Sequence, residues 1–163
     1  MLPQEKMSEA EVSLRLALYL LRNDIVTSNI SVAIDGAQIR TKDKFHFPLA
    51  DFLKDNGLKR CQTGPGWYGS YSLGSTFSIV IHSNPGQGDV VANVRSGHVL
   101  RVEAKKGTLS RSRSSSEYQL LREAFGQLMT IETDIENNLL AVAVPKSNKF
   151  DELARNVKTG RWC

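Results

Sequence analysis

Gly88-Asp89-Val90-Val91-Ala92-Asn93-Val94-Arg95-Ser96-Gly97-His98-Val99-Leu100-Arg101-Val102-Glu103-Ala104-Lys105 is the most informative run in this sequence. Two β-rich segments flank Arg95-Ser96-Gly97, the pattern of strands joined by a short turn. In the second segment Leu100, Val102 and Ala104 point one way, and Arg101, Glu103 and Lys105 the other. The loop sets the register. If Arg95-Ser96-Gly97 is a three-residue connection with Gly97 left-handed, Asp89 lies opposite Glu103, with Cβ atoms roughly 5 Å apart on one face. A two-residue Ser96-Gly97 turn pairs Asp89 with Ala104 instead and separates the acids. The three-residue loop is the better reading, because it also leaves Val90, Ala92 and Val94 on the face of Leu100 and Val102.

Elements on either side complete a pattern. Ser8 with Glu11 three residues on has capping-box spacing and opens a helix over 8–23, apolar nearly all round and so buried on more than one side. A strand over 30–34, then Asp35-Gly36, then 37–41 predicts a two-residue hairpin. Pro48 suits the first turn of a short helix over 48–55. Residues 62–75, rich in glycine and aromatics, read as a loop. Strands follow at 77–82, 89–94 and 98–105, a helix at 115–130, a strand at 139–144 stopped by Pro145, and a last helix at 151–157. Setting aside 25–75 as an insertion, the order is helix, three strands, helix, strand. That predicts one α/β domain over 1–163, a three-layer sandwich with a central mixed four-stranded sheet and an inserted hairpin-helix region.

Composition bounds the function. The 163 residues, 40% of them apolar and 23% charged, are ordinary for a globular domain and large enough to bury a core without staples. The longest nearly apolar run, 14–21, contains Arg15 and is too short to span a bilayer, and nothing at the start reads as a secretory leader. Cys61 and Cys163 make no disulfide framework, so a reducing, cytoplasmic setting is expected. The net charge of +4 understates a local excess. Between Arg95 and Arg122 there are seven basic residues (Arg95, Arg101, Lys105, Lys106, Arg111, Arg113, Arg122) against Glu103 and Glu117. Such clusters bind phosphates or simply form a solvated surface.

Two carboxylates and a lysine converging at strand ends have a specific use. Like charges at that distance repel, and a divalent cation relieves the repulsion. An oxygen-only site favours Mg²⁺ or Mn²⁺, with water and a substrate phosphate completing the coordination. Lys105 is then placed to orient or deprotonate the attacking water.

Gly88-Asp89, thirteen intervening residues, then Glu103-Ala104-Lys105 resembles the PD-(D/E)xK signature of restriction-endonuclease-like nucleases, with glycine where the motif's proline stands. The element order over 77–144 is similar to the core of that fold, with the first helix as a further element. Arg122-Glu123-Ala124-Phe125-Gly126-Gln127-Leu128 resembles the helix after the motif strand, whose glutamine supports the site. The resemblance implies Mg²⁺ on Asp89, Glu103 and the Ala104 carbonyl, Lys105 at the nucleophile, and Gln127 in support. Gln127 shares a flank with Leu120, Ala124 and Ile131, so half-burial is expected. Some nucleases of this type add a first-helix acid, which nominates Glu9, although glutamates at helix N-termini usually serve the dipole. Lys106, Arg111 and Arg113 are expected to grip the DNA backbone.

Other residues read more plainly. His82 ends the strand over 77–82 and reads as structural or solvated, His46 and His98 have no partners at ligand spacing, and no cysteine pair suggests zinc. Trp67, Tyr68 and Tyr71 either stack on bases or close one end of a core. Gly64-Pro65-Gly66 lacks the residues of a phosphate-binding P-loop. The functional expectation is a Mg²⁺-dependent DNA endonuclease, acting as a homodimer or nicking one strand. The alternative is a nucleic-acid-binding or scaffold protein on the same fold that does not cut.

Overall fold

A computed structural model describes residues 6–84, 86–109, 116–132 and 136–158. The elements in chain order are β1 (Lys6–Met7), α1 (Glu9–Arg22), β2 (Ile30–Ala33), α2 (Gly36–Ile39), β3 (Arg40–Thr41), β4 (Lys44–Phe45), α3 (Leu49–Asp55) and β5 (Lys59–Thr63). They continue with β6 (Gly69–Ser72), β7 (Ile79–His82), β8 (Val90–Asn93), β9 (Val99–Ala104), β10 (Gly107–Thr108), α4 (Ser116–Met129), β11 (Asn138–Ala143) and α5 (Asn148–Lys158). Seven strands form one mixed sheet in the order β11-β9-β8-β2-β7-β6-β5. No helix among the described residues is long and apolar enough to cross a membrane.

Helix α1 starts where the capping spacing predicts, with the Ser8 side chain accepting the Glu11 N–H at 3.1 Å. It is buried along Ala10, Leu14, Ala17, Leu18 and Leu21, and packs into a cluster with Ile30, Val32, Ile79, Ile81, Val90 and Val102. Burying each of these side chains is worth about 1.5–3 kcal/mol, so this cluster is the main source of stability. The alternation of β11 splits the layers. Ala141 and Ala143 face the α1 cluster, while Val142 and Val144 pack against Leu121 of α4 and Phe150 and Leu153 of α5.

The β8–β9 hairpin has the register that the three-residue loop predicts. Val90 pairs with Val102 and Ala92 with Leu100, the Val94 N–H donates to the His98 carbonyl at 2.9 Å, and Gly97 has φ 86°.

Four expectations are corrected. The strand expected over 77–82 forms as β7, yet it is not next to β8, because β2 lies between them, parallel to β7 and antiparallel to β8. The connection 83–88 is long enough to cross two strand spacings, about 10 Å, where a tight turn is not. Residues 25–75 therefore do not sit outside the sheet: β2 is at its centre, and β5 and β6 extend one edge. The loop expected over 62–75 holds the end of β5 and all of β6. These two strands approach so closely that a Cβ on Gly69 would lie 2.4 Å from the Gln62 carbonyl oxygen. The Asp35-Gly36 hairpin does not form either. The Asp35 carboxylate accepts the Ala37 N–H at 3.0 Å and caps α2, a local side-chain bond that outcompetes the turn.

A candidate active site at one end of the sheet

Strands β2, β7, β9 and β11 run parallel to one another and β8 runs against them. One end of the sheet therefore gathers the last residues of four strands and the first of β8. Crevices at the carboxyl ends of parallel strands are the usual ligand sites of α/β sheets.

Asp89 stands at that end because the chain bends into β8 there. Its N–H donates to the Val102 carbonyl at 2.8 Å, and its carboxylate accepts the Ala104 N–H, also at 2.8 Å. Both Asp89 and Val90 thus lie against Val102, a local bulge that lifts the carboxylate over β9. Gly88 makes this approach feasible, since it has φ +101° and a Cβ there would come within 3.1 Å of the Val102 oxygen. That accounts for glycine at a position where proline's fixed negative φ could not serve.

Glu103 and Lys105 project from the same strand two residues apart and are 8% and 7% exposed. The Asp89 and Glu103 side chains lie close enough for each to act on the other's acidity. Burial first and the Asp89 charge second raise the Glu103 pKa to about 7, against a partial offset from Lys105. Asp89 is raised as well, first by burial, while the Ala104 N–H and Lys105 hold it down. Of the two acids, Glu103 is therefore the one that titrates near neutrality, with Lys105 close by.

Glu9, in the first turn of α1, adds its charge to both acids and raises both pKa values. Its carboxylate accepts from Gln38 of α2 at 3.4 Å. Sequence reasoning missed Gln38, and nothing in its neighbourhood signals the contact, which spans 29 positions. On the same row of the sheet Ala33 pairs with His82. The His82 Nδ1 accepts the Asn84 N–H, which leaves Nε2 as the donor to Ser31 Oγ at 2.6 Å. Burial lowers the His82 pKa. Its ring ties Ser31 to Asn84, consistent with the structural reading of this residue.

Asp89, Glu103, Ala104 and Lys105 are brought together, with Glu9 nearby. Gln127 is exposed, against the expected half-burial. The buried stripe of α4 is Glu117, Leu121, Ala124 and Leu128, and Gln127 lies about 100° round the helix from Leu128. Lys106 is exposed next to the site, whereas Arg111 and Arg113 lie outside the described residues. The basic run does not form one surface, because Arg95 is bonded to Asp24 at the far end of the hairpin, and Arg101 is held by Asn138 and Gln87.

The donor set suits a hard divalent cation. The Asp89 charge raises the Glu103 pKa, a repulsion that a cation would relieve, and Mg²⁺ commonly takes one or two carboxylates, with waters and substrate phosphate filling the rest. Among the described residues no group of three or more His, Cys, Asp or Glu at ligand geometry is present, so Glu9 does not complete a three-carboxylate set. No family model matches this chain, and neither the curated proteins nor the solved structures compared with it give a match.

Proposed function

We propose that this protein is a metal-dependent nuclease that hydrolyses phosphodiester bonds in DNA, on a PD-(D/E)xK-type fold. The observation that carries the reading is the Asp89–Glu103 carboxyl pair beside Lys105 at the carboxyl ends of parallel strands. The order α1, β2, β8, β9, α4, β11 supports the fold reading, since those four strands are contiguous in the sheet and helices cover both faces. In this reading the core's first strand is β2, and β7 belongs with β5 and β6 in an extension of the sheet.

Asp89, Glu103 and the Ala104 carbonyl would hold Mg²⁺ or Mn²⁺, which when bound supplies Lewis-acid stabilisation of charge on the phosphoryl oxygens. The chain's own residues do the rest. The Ala104 N–H fixes the Asp89 carboxylate in place, and Lys105, largely shielded from solvent, holds the attacking water and meets negative charge as it develops. Glu103 would have to be deprotonated to serve as a ligand, which ties metal affinity to pH. Lys106 contacts the backbone. Cutting both strands requires two such sites, hence a homodimer or a nicking activity.

One observation favours the non-cutting alternative: the described residues offer two carboxylates at the site and no third at ligand geometry. A cleavage assay on supercoiled, linear and single-stranded DNA with Mg²⁺ or Mn²⁺, beside Glu103→Ala and a chelator control, decides between them. Metal-dependent cutting that vanishes in Glu103→Ala is the expected result. Salt-sensitive DNA binding without cutting, retained in the variant, supports the alternative.

A further inference from the structure

Seven consecutive residues, Arg40-Thr41-Lys42-Asp43-Lys44-Phe45-His46, are all exposed. They form the β3–β4 hairpin, with Arg40 paired to Phe45 and Thr41 to Lys44, and turn at Lys42 with φ 52°. The hairpin leaves α2 two residues after Gln38, the residue bonded to Glu9, so it grows from the same end of the sheet as the carboxyl pair. Phe45 is 67% exposed. Two residues on, Phe47 is 2% exposed and packs on Phe52 at 5.4 Å between ring centroids, anchoring the base of the hairpin. One phenylalanine is spent on the core and the other is held out in solvent.

Phe45 is held in place. The Arg40 guanidinium lies over its ring at 4.9 Å, and Arg40 Nε donates to the Lys42 carbonyl at 2.8 Å. Three cations stand against one acid, Asp43, whose contact with Arg40 is a long 3.9 Å. An exposed ring among lysines and arginine is the combination that binds single-stranded nucleic acid, in which the ring stacks on a base and the cations meet phosphates. Bases inside an intact duplex are already stacked and cannot reach such a ring, whereas unpaired ones can.

We infer that the β3–β4 hairpin stacks Phe45 on an unpaired base, and so directs this protein to single-stranded, flapped or branched DNA. The inference rests on the nuclease reading and names its substrate class. Lys42 and Lys44 supply the sequence-independent phosphate contacts.

Binding is measured by fluorescence anisotropy in a Glu103→Gln background, which removes cleavage, on a single strand, a flapped duplex and a blunt duplex. A 2-aminopurine base in the single-stranded part reports stacking by its quenching. Phe45→Ala is expected to weaken single-strand and flap binding by roughly tenfold, to leave the blunt duplex within twofold, and to abolish the quenching. Phe45→Trp restores both. Lys42→Ala with Lys44→Ala weakens all three substrates and flattens the salt dependence. Unchanged binding in Phe45→Ala, or equal losses on all three substrates, overturns the stacking role while the parent still binds and the wild type still cuts. A wild type that neither binds nor cuts any of them overturns the nuclease reading itself, and this inference with it. Thermal melting of Phe45→Ala checks that the fold is intact.

Discussion

The Asp89 carboxylate accepts the backbone N–H of Ala104 at 2.8 Å, so an acid at the start of one strand completes the hydrogen-bond ladder of the next. Ala104 is fully buried, and no water can replace the lost acceptor. Asp89→Asn keeps an acceptor oxygen, and Asp89→Ala does not. Both remove the charge, so the difference between them isolates the bond. Asp89→Ala is expected to be less stable than Asp89→Asn by about 1–3 kcal/mol, which thermal melting reads as several degrees. Both variants should lose cleavage equally, and an Asp89→Asn protein that still cuts would remove Asp89 from the metal site.

Glu103 makes stability depend on pH. Its pKa is raised by burial and by Asp89 to about 7, so the folded state binds its proton more tightly than the unfolded state does. Stability is therefore highest below the unfolded carboxyl range near pH 4–5 and falls as pH rises towards 7. Asp89, also raised, acts in the same direction. Glu103→Gln removes the cost. The variant is expected to exceed the wild type by about 1–2 kcal/mol at pH 8, with solvent screening allowed for. The gap should close by pH 4. Melting curves across that window that run parallel, or a variant less stable at pH 8, contradict the raised Glu103 pKa.

A cation that takes the place of the Glu103 proton binds only the folded chain and must stabilise it. At pH 8, Mn²⁺ or Mg²⁺ is expected to raise the wild-type melting temperature progressively with concentration, and EDTA to reverse the shift. The shift should be small at pH 5, where Glu103 keeps its proton. Glu103→Gln and Asp89→Asn should show little of it. A shift of equal size in all three proteins places the metal elsewhere.

Gln127 provides a negative prediction. Its side chain is exposed on α4, away from the buried stripe. Gln127→Ala is expected to change stability by less than about 0.5 kcal/mol and to leave cleavage within threefold. A loss of cleavage near that of Glu103→Ala would restore the supporting role that the family resemblance implies.

What the sequence discloses follows from how local its causes are. The β8–β9 register could be read because Gly97 adopts the left-handed conformation in the short loop between the strands, and that register runs to the Val90–Val102 pair, beside which Asp89 bulges over β9. The start of α1 could be read because Ser8 and Glu11 are adjacent on one turn. The position of β2 could not, since Ile30 meets Ile79 and Ser31 meets Val91 through pairings across some fifty to sixty residues that leave no local mark. Strands β5 and β6 were hidden for another reason: glycines that permit close backbone approach look like loop glycines until the partner strand is known. At the site, the motif spacing disclosed the three charges, while the Glu9–Gln38 contact and the Gln127 exposure depended on how whole helices settle.

Gly88 ties the local backbone to the site more directly than any other position. Its φ of +101° is strained for any L-residue, and a Cβ would lie 3.1 Å from the Val102 oxygen and 3.3 Å from the Val102 nitrogen, both backbone atoms that cannot swing aside. Gly88→Ala must push β8 away from β9 at the point where Asp89 crosses to Ala104. The expected cost is about 1–3 kcal/mol, together with a loss of the metal-induced melting shift, because the Asp89 carboxylate moves off the Ala104 N–H. The two readouts separate causes. A destabilised variant that still answers to Mn²⁺ would mean the carboxyl pair survives without this bulge. A variant as stable as the wild type would mean the chain reaches Asp89 by another path.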